Sequence, residues 1–472
     1  MKKTKIVTSM GPASTSVEVF KQMVDAGANV ARINFSHATI EERENVVRVV
    51  KEVRKLTDKF IGILYDTKGP EFRNGEVIEE GIELIPGNTI KIVKENVIGN
   101  QERFSVNHST AVDSLNIGDI VLLENGLMKI EVIEKDDTSV NCKIINGGRL
   151  FSRKSLAAPG VKLDIPFISD VDREDIIYAC NHDGNFLAAS FVECAENVLE
   201  IREILKSQNR SDMKIISKIE SQTGMDNLES IAKVSDGLMV ARGDLGVEVP
   251  IADLPICQKQ IVKVCRKYNI VCIVATEMLE SMKHNPRPTR AEVTDVANAV
   301  YNGTDAIMLS GETTTGEYPI ETVRNMAEIA EHIEESIHYK NIFAKEEVTT
   351  PTDAIIKSVA EAANSLDAKL IVIPTISGTS ARLISNLEPK CPILALVRDE
   401  DTAASLALNY GVNTKVVDYL NDIDEIFAIS LEEAKKFTTL NEGDHIIITG
   451  GFKAKEMNNT PIPTNLMKIH TI

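Results

Sequence analysis

The tetrapeptide SKIE puts Lys218 and Glu220 two residues apart, on the same side of the chain if the stretch is a strand. The next apolar run, GLMVARGDLG (Gly237–Gly246), stops at Arg242, Gly243 and Asp244. Carboxylates on neighbouring strand ends, here Glu220 and Asp244, suit Mg²⁺, which prefers one or two carboxylates completed by substrate oxygens. The competing reading is a structural ion pair between Lys218 and one of them. Gly243 leaves room for a ligand beside the backbone, and the amides of Gly243, Asp244 and Leu245, if they open a short helix, can bind an anion. Thr276 ends the following run, VCIVATEM, with a hydroxyl. A lysine, a metal pair and a nest of donors together describe a site for a small phosphorylated acid.

Two more segments extend that site. ARINFSH sets Arg32, Asn34 and Ser36 on one side of a strand end, and YDTKGPEFR supplies Asp66, Thr67, Glu71 and Arg73. Oxygens from Asn34, Ser36, Asp66 and Thr67 make an all-oxygen pocket suited to a hard cation. The alternative for Ser36 is to cap the helix begun by HATIEERE.

These residues all sit where apolar runs end. Such runs occur at Thr4–Met10, Ala28–Phe35, Phe60–Thr67, Phe186–Val192, Lys214–Glu220, Gly237–Asp244, Val271–Met278 and Asp305–Thr313, with amphipathic helical patterns between most of them. Eight buried parallel strands alternating with helices predict a (β/α)₈ TIM barrel, whose chemistry lies at the C-terminal strand ends; an open doubly wound sheet is the rival. From Glu71 to about Gly160 the helical pattern gives way to short alternating runs, predicting a small all-β barrel inserted after strand 3 as a lid. After the linker AKEEVTTPT (Ala344–Thr352), a new strand–helix alternation predicts a C-terminal α/β domain. The expected division is 1–70 with 161–345 as the catalytic barrel, 71–160 as the lid and 346–472 as a regulatory domain. In the last of these, TISGTS offers Thr375, Ser377, Gly378, Thr379 and Ser380 between a strand and a helix, a place that can cradle phosphate or be an ordinary capped turn.

Composition narrows the partners. With a net charge of −18 over 472 residues and no basic stripe, nucleic acid is not an expected partner. Seven scattered cysteines without a C-x-x-C pair argue against a disulfide framework or zinc site. With no membrane-length apolar run and no secretory h-region, a cytoplasmic location is expected.

TKIVTSMGPAS, NVARINFSH, DTKGPEFR, IISKIES, SDGLMVARGDLGVEVP, ATEMLESM, NPRPTRAEVTDVANAV and GTDAIMLSGETTTGEYP closely resemble, in order, the motifs of pyruvate kinases. The resemblance spans essentially the whole chain. It implies phosphate transfer from phosphoenolpyruvate to ADP, giving ATP and pyruvate through an enolate. It further implies that Glu220 and Asp244 hold Mg²⁺ (or Mn²⁺), that Lys218 and Arg32 meet the transferring phosphate, and that Gly243, Asp244 and Thr276 receive the substrate carboxylate. Thr276, with Ser310, would lie near the carbon that is protonated. Asn34, Ser36, Asp66 and Thr67 match potassium ligands, and Glu71 resembles the K⁺-requiring members. Arg73, His37 and Lys154, with Asn34, would meet the nucleotide. Thr375–Ser380 resembles a sugar-phosphate effector loop, although the facing GGFKAKEMNNT departs from the family's glycine-rich pattern. A homotetramer is also implied.

Other departures fall on the lid: Glu124-Asn125-Gly126 in place of an acidic pair before Gly, where the lost charge in relatives helps closure against Arg290, and Ser155-Leu156-Ala157 after Lys154. Glu193, Glu277 and Thr315 also differ from the common residues. Two rival functions follow: a pyruvate-enolate lyase or aldolase, which has no use for a nucleotide lysine on a lid, and a catalytically weak regulatory paralogue binding sugar phosphate or nucleotide, whose signature would be loss of Lys218, Glu220 or Asp244. All three are present.

Overall fold

The computed structural model describes residues 1–337, 350–418, 423–451 and 464–472. Residues 344–349 of the expected linker, and most of the Gly450–Thr460 loop, lie outside them.

Eight parallel strands close into a barrel: Lys5–Ser9, Val30–Asn34, Gly62–Asp66, Phe186–Ala189, Lys214–Ile219, Gly237–Ala241, Val271–Ala275 and Ala306–Leu309. The eighth pairs back onto the first through Lys5–Ala306 and its neighbours, so no edge is left open. Each strand is shorter than its apolar run. Arg242 and Asp244 therefore lie in the first turn of a helix, Arg242–Glu248, rather than on a strand. The barrel interior is filled by Val7, Val30, Leu64, Phe186, Ile216, Met239, Ile273 and Met308. A larger core packs the outer strand faces against the helices.

Local signals explain the helix starts. Val17–Ala26 is capped by Ser16 and ends at Gly27, whose φ of 125° is a backbone state that other residues resist. Ile40–Thr57 starts at a capping box formed by Thr39 and Glu42 and buries Val46, Val50 and Val53. Ser36 is thus not the cap.

The insert, expected as a small β-barrel, consists of two sheets. Six strands run in the spatial order Leu156–Ala157, Ile120–Leu123, Met128–Lys135, Ser139–Asn146, Thr89–Val93, Arg103–Ser105, and Gly148–Leu150 pairs with Ile82–Leu84. Single bridges from Arg73 to Ser155 and from Asn74 to Val106 draw the ends of the larger sheet together. This is how the segment that leaves the third barrel strand is stitched to the insert.

Strands Val412–Val416, Ile393–Val397, Leu370–Pro374 and His445–Gly450 form a parallel sheet, with Leu466–Thr471 antiparallel at its edge. Apolar clusters cover both faces. The turn before Val412 sends Ala407 and Leu408 into the interior cluster of the barrel from its N-terminal end, Leu408 fully buried. The C-terminal unit therefore plugs the bottom of the barrel, leaving the top for chemistry.

Candidate active site

The ends of five adjacent strands place side chains at the top of the barrel. Lys218, next to last in the fifth strand, reaches Asp66 at 3.1 Å, Glu220 at 3.0 Å and the Ser190 hydroxyl at 2.8 Å. Asp66, fully buried at the end of the third strand, also accepts from Arg32 Nε at 2.7 Å, and Arg32 donates to Ser9 Oγ at 2.7 Å. The ion pair that competed with a metal reading is therefore present, but it is a shared cluster rather than one pair.

The charges shift one another. Burial favours the neutral form of Asp66, yet Lys218 and Arg32 outweigh it and hold the carboxyl below its usual range. Burial likewise opposes the Lys218 ammonium, while Asp66 and Glu220 hold its pKa above the usual lysine value. Glu220 goes the other way. Burial raises it to about 7; Lys218 opposes the rise while Asp244 and Asp66 add to it. The signs are consistent because Asp66 faces two cations, whereas Glu220 has one cation and two like charges nearby.

Glu220 Oε2 accepts the Phe191 amide at 2.6 Å, but the buried Oε1 has no hydrogen bond and meets Lys218 only as a charge. A buried carboxylate oxygen without a donor fits a cation. Among the described residues no three His, Cys, Asp or Glu side chains form a ready metal group. Mg²⁺ bound by two carboxylates and substrate oxygens does not require one.

Thr276 sits in the left-handed region at φ 68°, followed by Glu277 at 54°. A β-branched residue resists this conformation, so its surroundings must impose it. Arg242 does so: its guanidinium donates to the Thr276 carbonyl and to Asp295, at 2.7 Å for the latter. The Thr276 hydroxyl accepts the Gly243 amide at 2.9 Å and donates to the Ala275 carbonyl at 2.6 Å. The Gly243 amide, expected to be free for an anion, is thus held by Thr276 here. A Cβ on Gly243 would point at that hydroxyl from 3.7 Å.

The expected potassium ligands divide. Asn34 Oδ1 accepts the Ser36 amide at 3.0 Å, and the Thr67 carbonyl accepts from Ser190 Oγ at 2.7 Å, each keeping a second lone pair. Both Asp66 oxygens are engaged by cations. Glu71 pairs with Arg73 at 2.7 Å and Lys68 at 3.6 Å.

Beside this cluster a cleft of about 610 Å³ opens between the insert and the barrel. It brings together Glu71, Arg73, Lys154 and Asp244, and also Glu193 and Glu248. It is not centred on Lys218, so the cleft and the polar cluster are adjoining halves of one region joined at Asp244. His37 is exposed and does not line the cleft. Burial raises Glu248 to about 7, with Glu193 and Asp244 adding to the effect.

Residues 1–323 match the family model described as pyruvate kinase, barrel domain, and residues 353–470 the one described as pyruvate kinase, alpha/beta domain. The chain belongs to the pyruvate kinase family. It is 42% identical to the pyruvate kinase of Geobacillus stearothermophilus over 476 residues, covering all of this chain and 80% of the relative. Identity to the pyruvate kinase of Sporosarcina psychrophila is 43%, again over all of this chain and 81% of the relative. A crystal structure of a pyruvate kinase from Cryptosporidium parvum superposes with a TM-score of 0.93 at 36% identity, covering 100% of this chain and 96% of that one. As a pyruvate kinase, the chain is a phosphotransferase built on a (β/α)₈ barrel with an α/β C-terminal region.

The supports of this candidate site are not evident from the sequence. Ser190 ties Lys218, Asp66 and Thr67 together, its amide donating to Thr67 Oγ1 at 3.1 Å. The available signal is a serine inside the fourth apolar run, one residue past the end of its strand. Nothing local announces Asp295 as the partner of Arg242, since the two are 53 positions apart.

Proposed function

We propose that this pyruvate kinase transfers the phosphoryl group of phosphoenolpyruvate to ADP at the top of the barrel, with Lys218 and Arg32 on the phosphoryl oxygens. The P–O bond to the enol oxygen breaks, a bond to the terminal ADP oxygen forms, and the enolate left behind takes a proton to become pyruvate. Such transfer asks the protein mostly for positioning and for positive charge around the equatorial oxygens. The observation that carries this reading is Lys218, only 12% exposed, clustered with the buried Asp66, Glu220 and Ser190 at the strand ends.

Glu220 and Asp244 would hold Mg²⁺ (or Mn²⁺), with Asn34, Ser36, Asp66 and Thr67 as oxygen donors to K⁺. When bound, these ions supply charge that neutralises the phosphoryl oxygens. Thr276 and the Gly243 and Asp244 backbone would receive the substrate carboxylate once it displaces the Gly243 amide from the Thr276 hydroxyl, and that hydroxyl, with Ser310, is the proton-carrying group proposed for ketonisation. Arg73, Lys154, Asn34 and His37 serve the nucleotide.

In the C-terminal region, Thr379–Asn386 is a helix whose N-cap, Gly378, contributes no side-chain hydrogen bond. Thr375 Oγ1 accepts the Gly378 amide at 3.1 Å, and the Ser377 and Thr379 hydroxyls are 2.9 Å apart. Uncapped helix amides beside clustered hydroxyls support a phosphate site formed by Thr375, Ser377, Gly378, Thr379 and Ser380, and so activation by a sugar phosphate. Division into 1–70 with 161–345, 71–160 and 346–472, a homotetramer and a cytoplasmic setting complete the reading; no described helix is long and apolar enough to cross a membrane.

The test is pyruvate formation from phosphoenolpyruvate and ADP with Mg²⁺, in K⁺ and in K⁺-free buffer. Turnover dependent on both ions is the expected result. Binding of nucleotide and sugar phosphate without turnover would favour the regulatory paralogue instead.

A further inference from the structure

Lys154 has its backbone pinned on both sides. Its amide donates to Asn74 Oδ1 at 2.7 Å, and its carbonyl accepts the Asn74 amide at 3.1 Å. Asn74 is itself buried and donates to the carbonyls of Gly75 and Phe151. What remains undetermined is where the ammonium points, and Glu124 decides that at 2.7 Å.

Glu124 stands in an improbable turn. Glu124, Asn125 and Gly126 are all left-handed, with φ of 48°, 55° and 84°. Gly and Asn accept such values, whereas Glu does not do so readily. The turn is held from outside by Ser155. Its carbonyl accepts the Glu124 amide at 2.8 Å, its hydroxyl accepts the Asn125 amide at 3.1 Å, and that hydroxyl donates to Asn125 Oδ1 at 2.8 Å. Two of the positions at which this segment departs from the family's common residues, Asn125 and Ser155, therefore form one reciprocal clip. Beyond the clip, a Cβ on Gly126 would lie 3.9 Å from Val247, so the turn reaches the helix that carries Asp244 on the barrel side of the cleft.

We propose that Asn125 and Ser155 are positioning residues for the nucleotide, holding the Glu124 turn so that Lys154 is kept aimed into the cleft with its charge partnered until phosphate displaces the Glu124 carboxylate. This rests on the reading of Lys154 as a nucleotide residue. An aspartate at 125 would add a second carboxylate to the turn that carries Glu124, strengthen the field holding the Lys154 ammonium and weaken its exchange to phosphate. Asparagine supplies the same hydrogen-bonding oxygen without that charge.

The test is the KM for ADP and the KM for phosphoenolpyruvate, measured separately, in Ser155→Ala, Asn125→Ala, the double variant, Ser155→Thr and Lys154→Ala. A lost hydrogen-bonded contact of ordinary strength corresponds to about a threefold to tenfold change. Ser155→Ala and Asn125→Ala are each expected to raise the KM for ADP by that factor, leaving the KM for phosphoenolpyruvate and kcat within about twofold. The double variant is expected to be no worse than either single one, because the pair acts as a unit. Ser155→Thr, which keeps the hydroxyl, is expected to restore the wild-type value. If Lys154→Ala raises the KM for ADP and the clip variants do not, the positioning role falls and the nucleotide reading stands. If the clip variants raise both KM values and lower kcat together, the pair is merely structural and the proposal falls. If Lys154→Ala leaves the KM for ADP unchanged, the nucleotide reading fails and the proposal falls with it.

Discussion

At the top of the barrel, Lys218, Asp66, Arg32 and Glu220 neutralise one another, mostly side chain to side chain. At the bottom, several buried charges are met by backbone. Glu334 accepts the amides of Lys3 and Thr4 at 2.8 and 2.6 Å, and Asp305 accepts those of Cys272 and Tyr410 at 2.9 and 3.3 Å. Lys5 Nζ donates to the Val412 carbonyl. The same strands thus treat charge in two ways. A peptide group cannot swing away, so Asp305 and Lys5, held by the backbone of Tyr410 and Val412, fasten the C-terminal unit to the barrel. Side chains paired with side chains can trade partners for a ligand, and that is what a catalytic mouth needs.

The sharpest way to break this contrast is to remove a charge at the top. Lys218→Met is expected to lower kcat by about a hundredfold or more, the scale of deleting one electrostatic stabiliser of a transition state. Steady-state turnover of folded enzyme reads it, and retention of a tenth of the activity would mean the cluster is structural after all.

Leu408→Ala is the corresponding change at the bottom. It empties the barrel plug and is expected to cost about 2–5 kcal/mol of stability while leaving kcat of the folded enzyme nearly intact. Denaturant unfolding followed alongside kcat separates the two; a large fall in kcat with unchanged stability would show that the plug reaches the chemistry.

Asp305 sharpens the comparison through pH. Burial raises its pKa to about 7, opposed by its two amide donors. A carboxyl whose folded pKa is raised binds protons more tightly in the native state, so its contribution is full below pH 3.8 and is lost as pH rises through 7. The wild-type melting temperature is expected to decline between pH 5 and pH 8 partly for this reason. Asp305→Asn lowers the baseline, since its amide NH₂ faces a peptide donor, but is expected to flatten that decline by a few degrees. An equal decline in both proteins would remove Asp305 from the account.

The smallest effect is expected at the rim of the same interface, where Lys415 and Asp58 form an exposed ion pair at 2.8 Å. Lys415→Ala should change stability by less than about 1 kcal/mol. A larger loss in thermal unfolding would mean that exposed charge, and not only buried backbone contact, fastens the bottom.

Much of this was legible without coordinates. Each of the eight apolar runs contains one barrel strand, because a strand buried on both faces must be apolar throughout. The polar residues that end those runs include Lys218, Glu220, Asp66 and Thr276, since a strand stops where burial stops. The same reasoning stretched the sixth strand over Arg242 and Asp244, which are helical; an apolar run followed by charge does not say where helical hydrogen bonding begins.

Periodicity, strand-end polarity and ordered motifs settle the barrel and point to the candidate residues, because those depend on neighbours within a few positions of the chain. Which residue meets which is another matter. Ser190 under Lys218, Asp295 behind Arg242, Ser155 against Asn125 and Leu408 in the barrel floor are pairings across long stretches of chain. They arise only once the barrel has closed and its lid and C-terminal unit have docked, since contact between distant segments is set by packing geometry and leaves no local pattern to read.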